Sequence, residues 1–153
     1  MDTKRLPDLV ESFASAPHNL LVAILDQSPD CIKMIGLDGR LEYMNRNGQC
    51  AMEIEDFPAI AGQHWIALWP AEARQSIEQA LCAAARGETA QFEGICPTAK
   101  GSPRWWEVRV SPLLSIVGLV NGFVATSRDI TDRVQLAAQV EVARAEIERL
   151  RSN

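Results

Sequence analysis

The chain of 153 residues is predicted to adopt an α+β fold in which one antiparallel sheet carries short helices on one face. Two short apolar runs on either side of Asp38-Gly39 predict a β-hairpin, because Asp-Gly is a strong hairpin turn signal. Several short helical segments follow, and three further strand candidates come after them. Strands grouped in this way, rather than alternating with helices, are typical of the α+β class.

Composition and charge narrow the class of protein. Hydrophobic residues make up 47% and charged residues 23% of the chain, as in ordinary globular domains. The net charge is -5 and the basic residues are interleaved with acids, so no nucleic-acid partner is expected. No apolar run approaches the roughly 20 residues that span a bilayer, and no signal-peptide core follows Met1. We therefore expect a cytoplasmic protein without a membrane span.

The cysteines are widely separated and have apolar neighbours, which predicts buried free thiols. They are Cys31, Cys50, Cys82 and Cys96. A structural metal site requires clustered ligands, and neither His18 nor His64 is close to a cysteine in the sequence. We therefore expect no metal site.

The chain is predicted to begin with a flank and a short helix. Residues 1–18 carry Pro7 and Pro17 around a short apolar stretch and are expected to lie outside the domain. Asn19 suits the N-cap of a helix, and apolar residues recur at helical spacing from there until Ser28-Pro29-Asp30. A flanking N-terminal amphipathic helix is predicted between these two points.

The hairpin strands are predicted at residues 31–35 and 41–45. The Asp38-Gly39 turn between them is expected to need positive φ at both residues. Short helical pieces are then predicted within residues 46–53 and 58–68.

A longer helix and three strands are predicted in the second half. Pro70 suits the first turn of that helix, and Arg86-Gly87 suits its end. In one of the strands, period-2 alternation places Trp106, Val108 and Val110 on one face, which is expected to face the core. The three strand candidates span residues 89–96, 104–114 and 119–127.

The segment between the last two strand candidates is unusually apolar. Five of the seven residues from Leu114 to Val120 are apolar, and Asn121-Gly122 supplies turn residues beside them. The segment either lengthens the two strands or, if exposed, forms an apolar patch that suits a partner. Both interpretations stay open at the level of sequence.

The last helix has the residue spacing of a coiled coil. Its apolar residues recur at intervals of 4, 3, 4 and 3, as the seam of a dimer requires. They are Leu136, Val140, Ala143, Ile147 and Leu150. β-branched residues at a with leucine at d favour a parallel homodimer, and Glu146 and Arg151 take the g and e positions of an interhelical ion pair. The alternative is that the same stripe folds back onto the domain's own sheet, since fewer than about four heptads are present.

Taken in order, these features resemble a PAS domain over residues 20–133. The stretches that carry the resemblance are Ser28-Pro29-Asp30, Asp38-Gly39-Arg40, Tyr43-Met44-Asn45, Lys100-Gly101 and Asp129-Ile130-Thr131. The resemblance implies a five-stranded antiparallel sheet with strand order 2-1-5-4-3 that cups a pocket under the short helices. The expected organisation is a flank over residues 1–18, a PAS domain over 19–131 and a coiled-coil signalling helix over 132–153.

Residues 28–33 and 97–106 are most similar to PAS domains of bacterial sensor histidine kinases. The resemblance therefore implies the input module of a two-component system, with an effector domain or partner protein downstream. It also implies that Asp129-Ile130-Thr131 is the signal junction, in which Asp129 pairs with Lys100 or Arg128. No catalytic or ATP-binding motif is present, so this chain is not expected to be an enzyme.

The resemblance also bears on cofactors. Trp65 stands where flavin-binding photosensory relatives carry their reactive cysteine. Cys96, Trp106 and Ser127 stand where side-chain amides of those relatives bind the flavin, and each unmade buried hydrogen bond costs about 1 to 3 kcal/mol. Ile77 takes the place of the axial histidine of haem-binding relatives. We therefore expect neither flavin bound in that mode nor haem.

The interior is expected to be either a filled core or a pocket for a small apolar or aromatic ligand. The candidate pocket residues are Met34, Met44, Cys50, Met52, Trp65, Trp69, Ile77, Leu81, Phe92, Trp106, Val108 and Ser127. Three functions follow: a PAS sensory and dimerisation module, a cofactor-bound photoreceptor or redox sensor, and a stand-alone interaction module with a filled core.

Overall fold

A computed structural model describes residues 18–153, and these residues form the α+β architecture expected from the sequence. Helix α1 (His18–Asp26) begins one residue before the predicted N-cap. Strands β1 (Cys31–Ile35) and β2 (Leu41–Met44) follow and form the predicted hairpin. Apart from His18, the flank predicted over residues 1–18 lies outside the described residues.

Short helices occupy the middle of the chain. Helix α2 (Arg46–Ala51) is followed by three 3₁₀ turns and then by helix α3 (Arg74–Ala85). The turns are Phe57–Ala59, Trp65–Leu68 and Ala71–Ala73. The helix predicted from Pro70 is therefore divided into a 3₁₀ turn and α3.

The second half supplies three strands and a long helix. These are β3 (Ala90–Ile95), β4 (Trp105–Leu114), β5 (Val120–Asp129) and α4 (Thr131–Arg151). All five strands pair antiparallel in one sheet with the order β2-β1-β5-β4-β3. This confirms the strand order that the resemblance implied.

The β1–β2 turn differs from the predicted two-residue type. Gly39 has φ +82 and is the one turn residue at positive φ, and its N–H donates to the carbonyl of Gly36 at 2.9 Å. The Asp38 carboxylate accepts from the Arg40 N–H at 3.1 Å. A loop of residues 36–40 built around one tight turn needs a single left-handed residue, so positive φ is required only at position 39.

The β4–β5 turn also differs from the prediction. Asn121 and Gly122 lie within β5, and the turn is formed by residues 115–119 with Gly118 at φ +81. A Cβ at position 122 would lie 3.0 Å from the carbonyl oxygen of Ile35. The glycine at 122 therefore permits close approach of β1 and β5 rather than a turn.

The tip of the β4–β5 hairpin is apolar and exposed. Leu114, Ile116, Val117 and Leu119 are all largely exposed to solvent. β4 ends at Leu114 and β5 begins at residue 120, so the strands do not absorb the segment. Of the two interpretations left open by the sequence, the structure has the exposed apolar patch.

The core lies between one face of the sheet and the short helices. Trp106, Val108 and Val110 point into it, as the alternation predicted, and helix α3 contributes Ile77 and Ala80. Within residues 18–153, no helix has both the length and the apolar character that a membrane span requires.

The prediction that every cysteine is buried is wrong for two of the four. Cys31 and Cys96 are buried, whereas Cys50 and Cys82 are exposed. Cys50 lies in the last turn of helix α2 on its exposed side, and Cys82 lies off the buried stripe of α3. An apolar sequence neighbourhood does not identify the face of a short helix on which a residue lies.

Candidate ligand cavity and signal junction

Asn45 joins the elements that frame one side of the cavity. Its side-chain oxygen accepts from the N–H groups of Ile32 and Gly48 at 2.9 and 3.0 Å. Its amide nitrogen donates to the carbonyls of Leu25 and Asp30 at 2.9 and 3.0 Å. Because all four bonds are made, this fully buried amide holds α1, β1 and α2 together without an unpaired polar atom.

A cavity of about 40 Å³ lies between the inner face of the sheet and the short helices. It is lined by Cys31, Lys33, Met44, Met52, Ile54, Trp65, Leu68, Trp69, Cys96, Trp106 and Ser127. One water molecule needs roughly 10–15 Å³. The cavity therefore holds about three waters or a ligand of only a few non-hydrogen atoms.

The structure brings together half of the twelve candidate pocket residues. The residues that line the cavity are Met44, Met52, Trp65, Trp69, Trp106 and Ser127. Those that belong to the surrounding core instead are Ile77, Leu81, Phe92 and Val108. Met34 points to the opposite face of β1, and Cys50 is exposed at the surface, so neither lines the cavity.

Sequence reasoning missed Lys33, Ile54 and Leu68 as cavity residues and left Cys31 and Cys96, predicted as buried thiols, out of the candidate pocket. The residues of β1 alternate in burial, with Cys31, Lys33 and Ile35 pointing inward. The same period-2 rule applied to residues 31–35 would have found a lysine on the core face.

Lys33 brings an ammonium group to the apolar cavity. Its Nζ donates to the hydroxyl of Ser127 at 2.8 Å and lies 5.9 Å from the centre of the Trp65 ring. The side chain is buried, and a cation over an indole face is attracted to it. The cavity therefore combines an apolar wall with one positive group.

Two further polar groups of the lining, the Trp106 indole and the Cys96 thiol, form hydrogen bonds within the protein. The Trp106 indole N–H donates to the carbonyl of Cys96 at 3.0 Å. Burial raises the pKa of the Cys96 thiol to about 11, and the nearby Lys33 ammonium opposes that shift. The thiol is therefore neutral at physiological pH.

Aromatic rings form the helical side of the cavity. Trp65 and Trp69 meet edge to face with ring centres 6.1 Å apart, and Trp69 meets Phe92 at 5.9 Å. A Cβ at Gly94 would lie 3.3 Å from the Trp69 ring. Trp65, at the position of the photosensory cysteine, is thus a buried wall of the cavity.

The β3–β4 loop is fastened to the segment after α2. The hydroxyls of Thr98 and Ser102 each donate to the Glu53 carboxylate at 3.2 Å. Lys100 Nζ pairs with Glu55 at 2.7 Å. Lys100, predicted at the signal junction, therefore anchors this loop instead.

The junction between β5 and α4 is held by the backbone of Trp105. The Trp105 N–H donates to Thr131 Oγ1 at 2.9 Å, and its carbonyl accepts from the Ile130 N–H at 2.9 Å. Asp129 accepts from the N–H of Thr131 at 2.9 Å and also from its hydroxyl. The basic partner of Asp129 is Arg104, at 3.3 Å.

The other predicted partner of Asp129 is used elsewhere. Arg128 forms a two-pronged pair with Asp30, with both nitrogen–oxygen distances 3.2 Å. Residues 129 and 128 point to opposite faces of a strand, so the sequence neighbour of the aspartate is badly placed to pair with it.

Arg133 ties the first turn of α4 to the sheet. It lies 2.6 Å from Glu93 and 3.6 Å from Glu107, which are directly opposite each other on β3 and β4. Like charges in such a position repel, so the guanidinium of α4 offsets a repulsion within the sheet.

The predicted seam residues of α4 are not covered by the domain. None of the helix's residues is buried, and Leu136, Val140, Ile147 and Leu150 are exposed. The stripe thus does not fold back onto the sheet. Glu146 pairs with Arg149 of the same helix at 2.6 Å.

His64 is exposed, and its backbone pairs with Arg40 beside β2. In the part of the chain that the structure describes, no three His, Cys, Asp or Glu side chains are grouped as metal ligands would be.

A single sheet that encloses a small cavity and continues into a helix defines a domain of the sensory and signalling type. A family model described as PAS fold matches residues 25–135. The chain belongs to the PAS family.

Solved structures show the same fold. The chain is 19% identical to a PAS domain from Colwellia psychrerythraea, with a TM-score of 0.65 over 74% of this chain and 97% of that one. It is 25% identical to the PAS domain of an HTR-like protein from Haloarcula marismortui, with a TM-score of 0.59 over 83% and 99%. It is 16% identical to the LOV protein of Rhodobacter sphaeroides, with a TM-score of 0.60 over 73% and 66%. No curated protein matches the chain.

Proposed function

We propose that this chain is the sensory and dimerisation module of a bacterial signal-transduction protein, the input part of a histidine kinase or a similar effector. A ligand in the cavity, or a bound partner, changes the sheet, and the change passes through Asp129-Ile130-Thr131 to α4. The observation that carries the proposal is the hydrogen-bonded junction, which attaches α4 directly to β4.

The cavity and the junction share two adjacent strands. Trp106, which lines the cavity, is directly opposite Asp129 in the pairing of β4 with β5. The preceding residue on β4, Trp105, bonds to both Ile130 and Thr131. Ser127 of the cavity lies two residues before Asp129. A displacement of either strand at the cavity is therefore only one or two residues from the junction residues Trp105 and Asp129.

Helix α4 is suited to the output because its apolar stripe is exposed. A heptad stripe in water is stabilised by burial against an equivalent stripe, and its a and d residues favour a parallel two-stranded dimer. Arg133 joins the first turn of the helix to Glu93 and Glu107 of the sheet. Arg104 pairs with Asp129, which in turn accepts from the N–H of Thr131. A change in strand position would therefore move α4 and alter its packing against the same helix of the dimer partner.

We place any enzymatic activity outside this chain, in a downstream effector domain or a partner protein, because the sequence has no catalytic motif. The cytoplasmic location expected from the sequence stays a prediction.

The dimer is tested by light scattering on the full chain with a matched pair of variants. Ile147→Glu places a charge at an a position of the seam, whereas Val142→Glu makes the same kind of change on exposed α4 outside the seam. We expect a dimeric mass for the wild type and for Val142→Glu, and a monomeric mass for Ile147→Glu. A monomeric wild type, or a dimeric Ile147→Glu, would contradict the proposed seam.

A stand-alone interaction module is the second candidate, and the exposed tip of the β4–β5 hairpin favours it. Ile116 and Val117 present apolar side chains to solvent, as surfaces that bind partners do. If no small molecule stabilises the purified protein and the sample is colourless, this candidate is preferred.

A cofactor-bound photoreceptor or redox sensor is the third candidate, and visible absorption of the purified protein is its test. The residues fit flavin poorly, because Trp65 forms the wall where the cysteine would stand. The cavity of about 40 Å³ is also much smaller than a flavin ring requires.

A further inference from the structure

We infer that the cavity binds a small apolar molecule bearing a carboxylate, and that Lys33 binds that carboxylate. The inference rests on the proposed sensory function and names the class of ligand that the cavity would detect.

The position of Lys33 is the first observation. It lies on the inward face of β1 between Cys31 and Ile35, and only 5% of the residue is exposed. Lysine is almost never fully buried unless it is paired, because an ammonium group loses its hydration. The burial of a lysine on the core face of β1, which lies between β2 and β5, therefore requires an interaction that offsets its cost.

The bonding of the ammonium group is the second observation. It has three N–H donors, and within residues 18–153 it makes a single hydrogen bond, to Ser127 at 2.8 Å. Among residues 18–153 no carboxylate lies within 4.0 Å of Lys33 Nζ, since the ion pairs there all involve arginine or Lys100. The Trp65 ring offers attraction but no hydrogen-bond acceptor along its edge.

The surroundings of the ammonium group define the ligand. Two donors remain for an acceptor within the cavity, and a carboxylate supplies two oxygens and the opposite charge. The other walls are apolar or aromatic, such as Met44, Met52 and Trp106. The ligand therefore has one anionic end and an apolar body of a few non-hydrogen atoms.

Neutral polar ligands fit these observations less well. The Cys96 thiol is uncharged and donates weakly to the carbonyls of Leu68 and Pro97 at 3.7 and 3.6 Å. A ligand without charge would leave the buried ammonium unpaired, and the protein would gain nothing from keeping a lysine at this position.

The test compares butyrate with butyramide, which have the same size and shape and differ in charge. Both are titrated into the full chain at constant ionic strength, with tryptophan fluorescence and melting temperature as readouts. Trp65, Trp69 and Trp106 line the cavity and report its occupation. We expect the wild type to bind butyrate at least about ten-fold more tightly than butyramide, as a charge-assisted hydrogen bond predicts.

Two lysine variants complete the test. Lys33→Met removes the ammonium and keeps an unbranched side chain, and we expect it to lose the preference for butyrate. Lys100→Met removes an exposed lysine that pairs with Glu55, and we expect it to keep the preference. If Lys33→Met does not fold, Lys33→Gln, which removes the charge but keeps a side-chain N–H donor, is expected to reduce the preference and takes its place in the test.

Equal affinity of the wild type for both probes, or the absence of any butyrate effect, would overturn the inference. Retention of the preference in Lys33→Met would do so too. These results are distinguishable from failure of the proposed function. Butyramide binding with an intact dimer would leave the sensory module standing, whereas a monomeric wild type would remove the dimer and leave the cavity result unaffected.

Discussion

At the scale of single residues, a polar side chain is stable in the interior when the surrounding backbone forms hydrogen bonds with it. Asn45 is fully buried, and its four hydrogen bonds satisfy four backbone groups, one each from α1, the α1–β1 loop, β1 and α2. Lys33 is the contrasting case, because its ammonium has a single hydrogen-bond partner in the described part of the chain. The burial of Asn45 is explained by the hydrogen bonds it makes within the fold. The burial of Lys33 is better explained by a ligand.

Asn45→Ala is expected to lower the free energy of unfolding by about 3 kcal/mol, because two N–H and two carbonyl groups lose their partners. Urea unfolding followed by tryptophan fluorescence measures the loss. Asn121→Ala, at an exposed position on β5, is the matched control and is expected to stay within about 0.5 kcal/mol of the wild type. A loss below about 1 kcal/mol for Asn45→Ala would show that the hydrogen-bond network is not required.

The four cysteines are expected to react in two classes with a thiol reagent at pH 8. Cys50 and Cys82 are exposed and should react quickly, whereas Cys31 and Cys96 are buried. The pKa of about 11 for Cys96 leaves roughly one thiolate per thousand at that pH, so its reaction is slow for a second reason. The absorbance of the thiol released from the reagent measures how many cysteines react in each phase.

The Cys50→Ser/Cys82→Ser double variant serves as the control for that experiment, and it should lose the fast phase entirely. Three or more fast thiols in the folded wild type would contradict the burial of the cavity cysteines. Full reaction in denaturant provides the count of four.

At the scale of elements, strands were predicted more accurately than turns or short helices. The alternation of Trp106, Val108 and Val110 defines both the strand and its inward face, because strand periodicity is a local property. The turn residues were less informative. Gly122 looks like a turn glycine, but its role is to let β5 approach β1, which depends on a residue 87 positions earlier, Ile35.

The start of α4 is expected to depend on Asp129. In Asp129→Ala, the N–H of Thr131 loses its side-chain acceptor and Arg104 loses its ion pair. Loss of a cap costs about 1 kcal/mol, so amide hydrogen exchange over residues 131–134 should accelerate about five-fold. Asp132→Ala is the control, because Asp132 contributes only a first-turn charge.

Equal exchange rates in these two variants would show that charge near the helix terminus, rather than the bonds of the junction, holds the first turn. In a full-length signalling protein, Asp129→Ala is expected to alter the output while the fold is kept.

At the scale of the whole molecule, the sheet domain and α4 meet over a small area. The domain buries its own core of tryptophan and aliphatic side chains, whereas no residue of α4 is buried. The connection consists of the Trp105 backbone and the pairs made by Arg104 and Arg133. This arrangement lets the helix respond to the sheet while contributing little to the stability of the domain.

Because no residue of α4 is buried, Ile147→Glu is expected to leave the sheet domain as stable as it is in the wild type. Its free energy of unfolding should stay within about 0.5 kcal/mol of the wild type at protein concentrations at which both are monomers. Ile77→Ala, in the buried core, is the positive control and should cost about 3 kcal/mol. A loss of more than about 1 kcal/mol in Ile147→Glu would mean that α4 packs on the domain.

The sequence by itself determined the α+β class, the position of each strand, the inward face of β4 and the heptad stripe of α4. These are repeated local patterns, and a period of two or of 3.5 residues can be read without knowing what the chain packs against. The ordered set of such patterns also carried the PAS resemblance, which the family match confirms.

The tertiary structure alone decided which charges meet and which residues share the cavity. Asp129 pairs with Arg104 rather than Lys100 or Arg128, and Lys33 points inward to Ser127, 94 positions away. Such contacts depend on how strands are aligned and on which face of a short helix is covered. Both are set by packing between distant segments, so no local pattern in the chain encodes them.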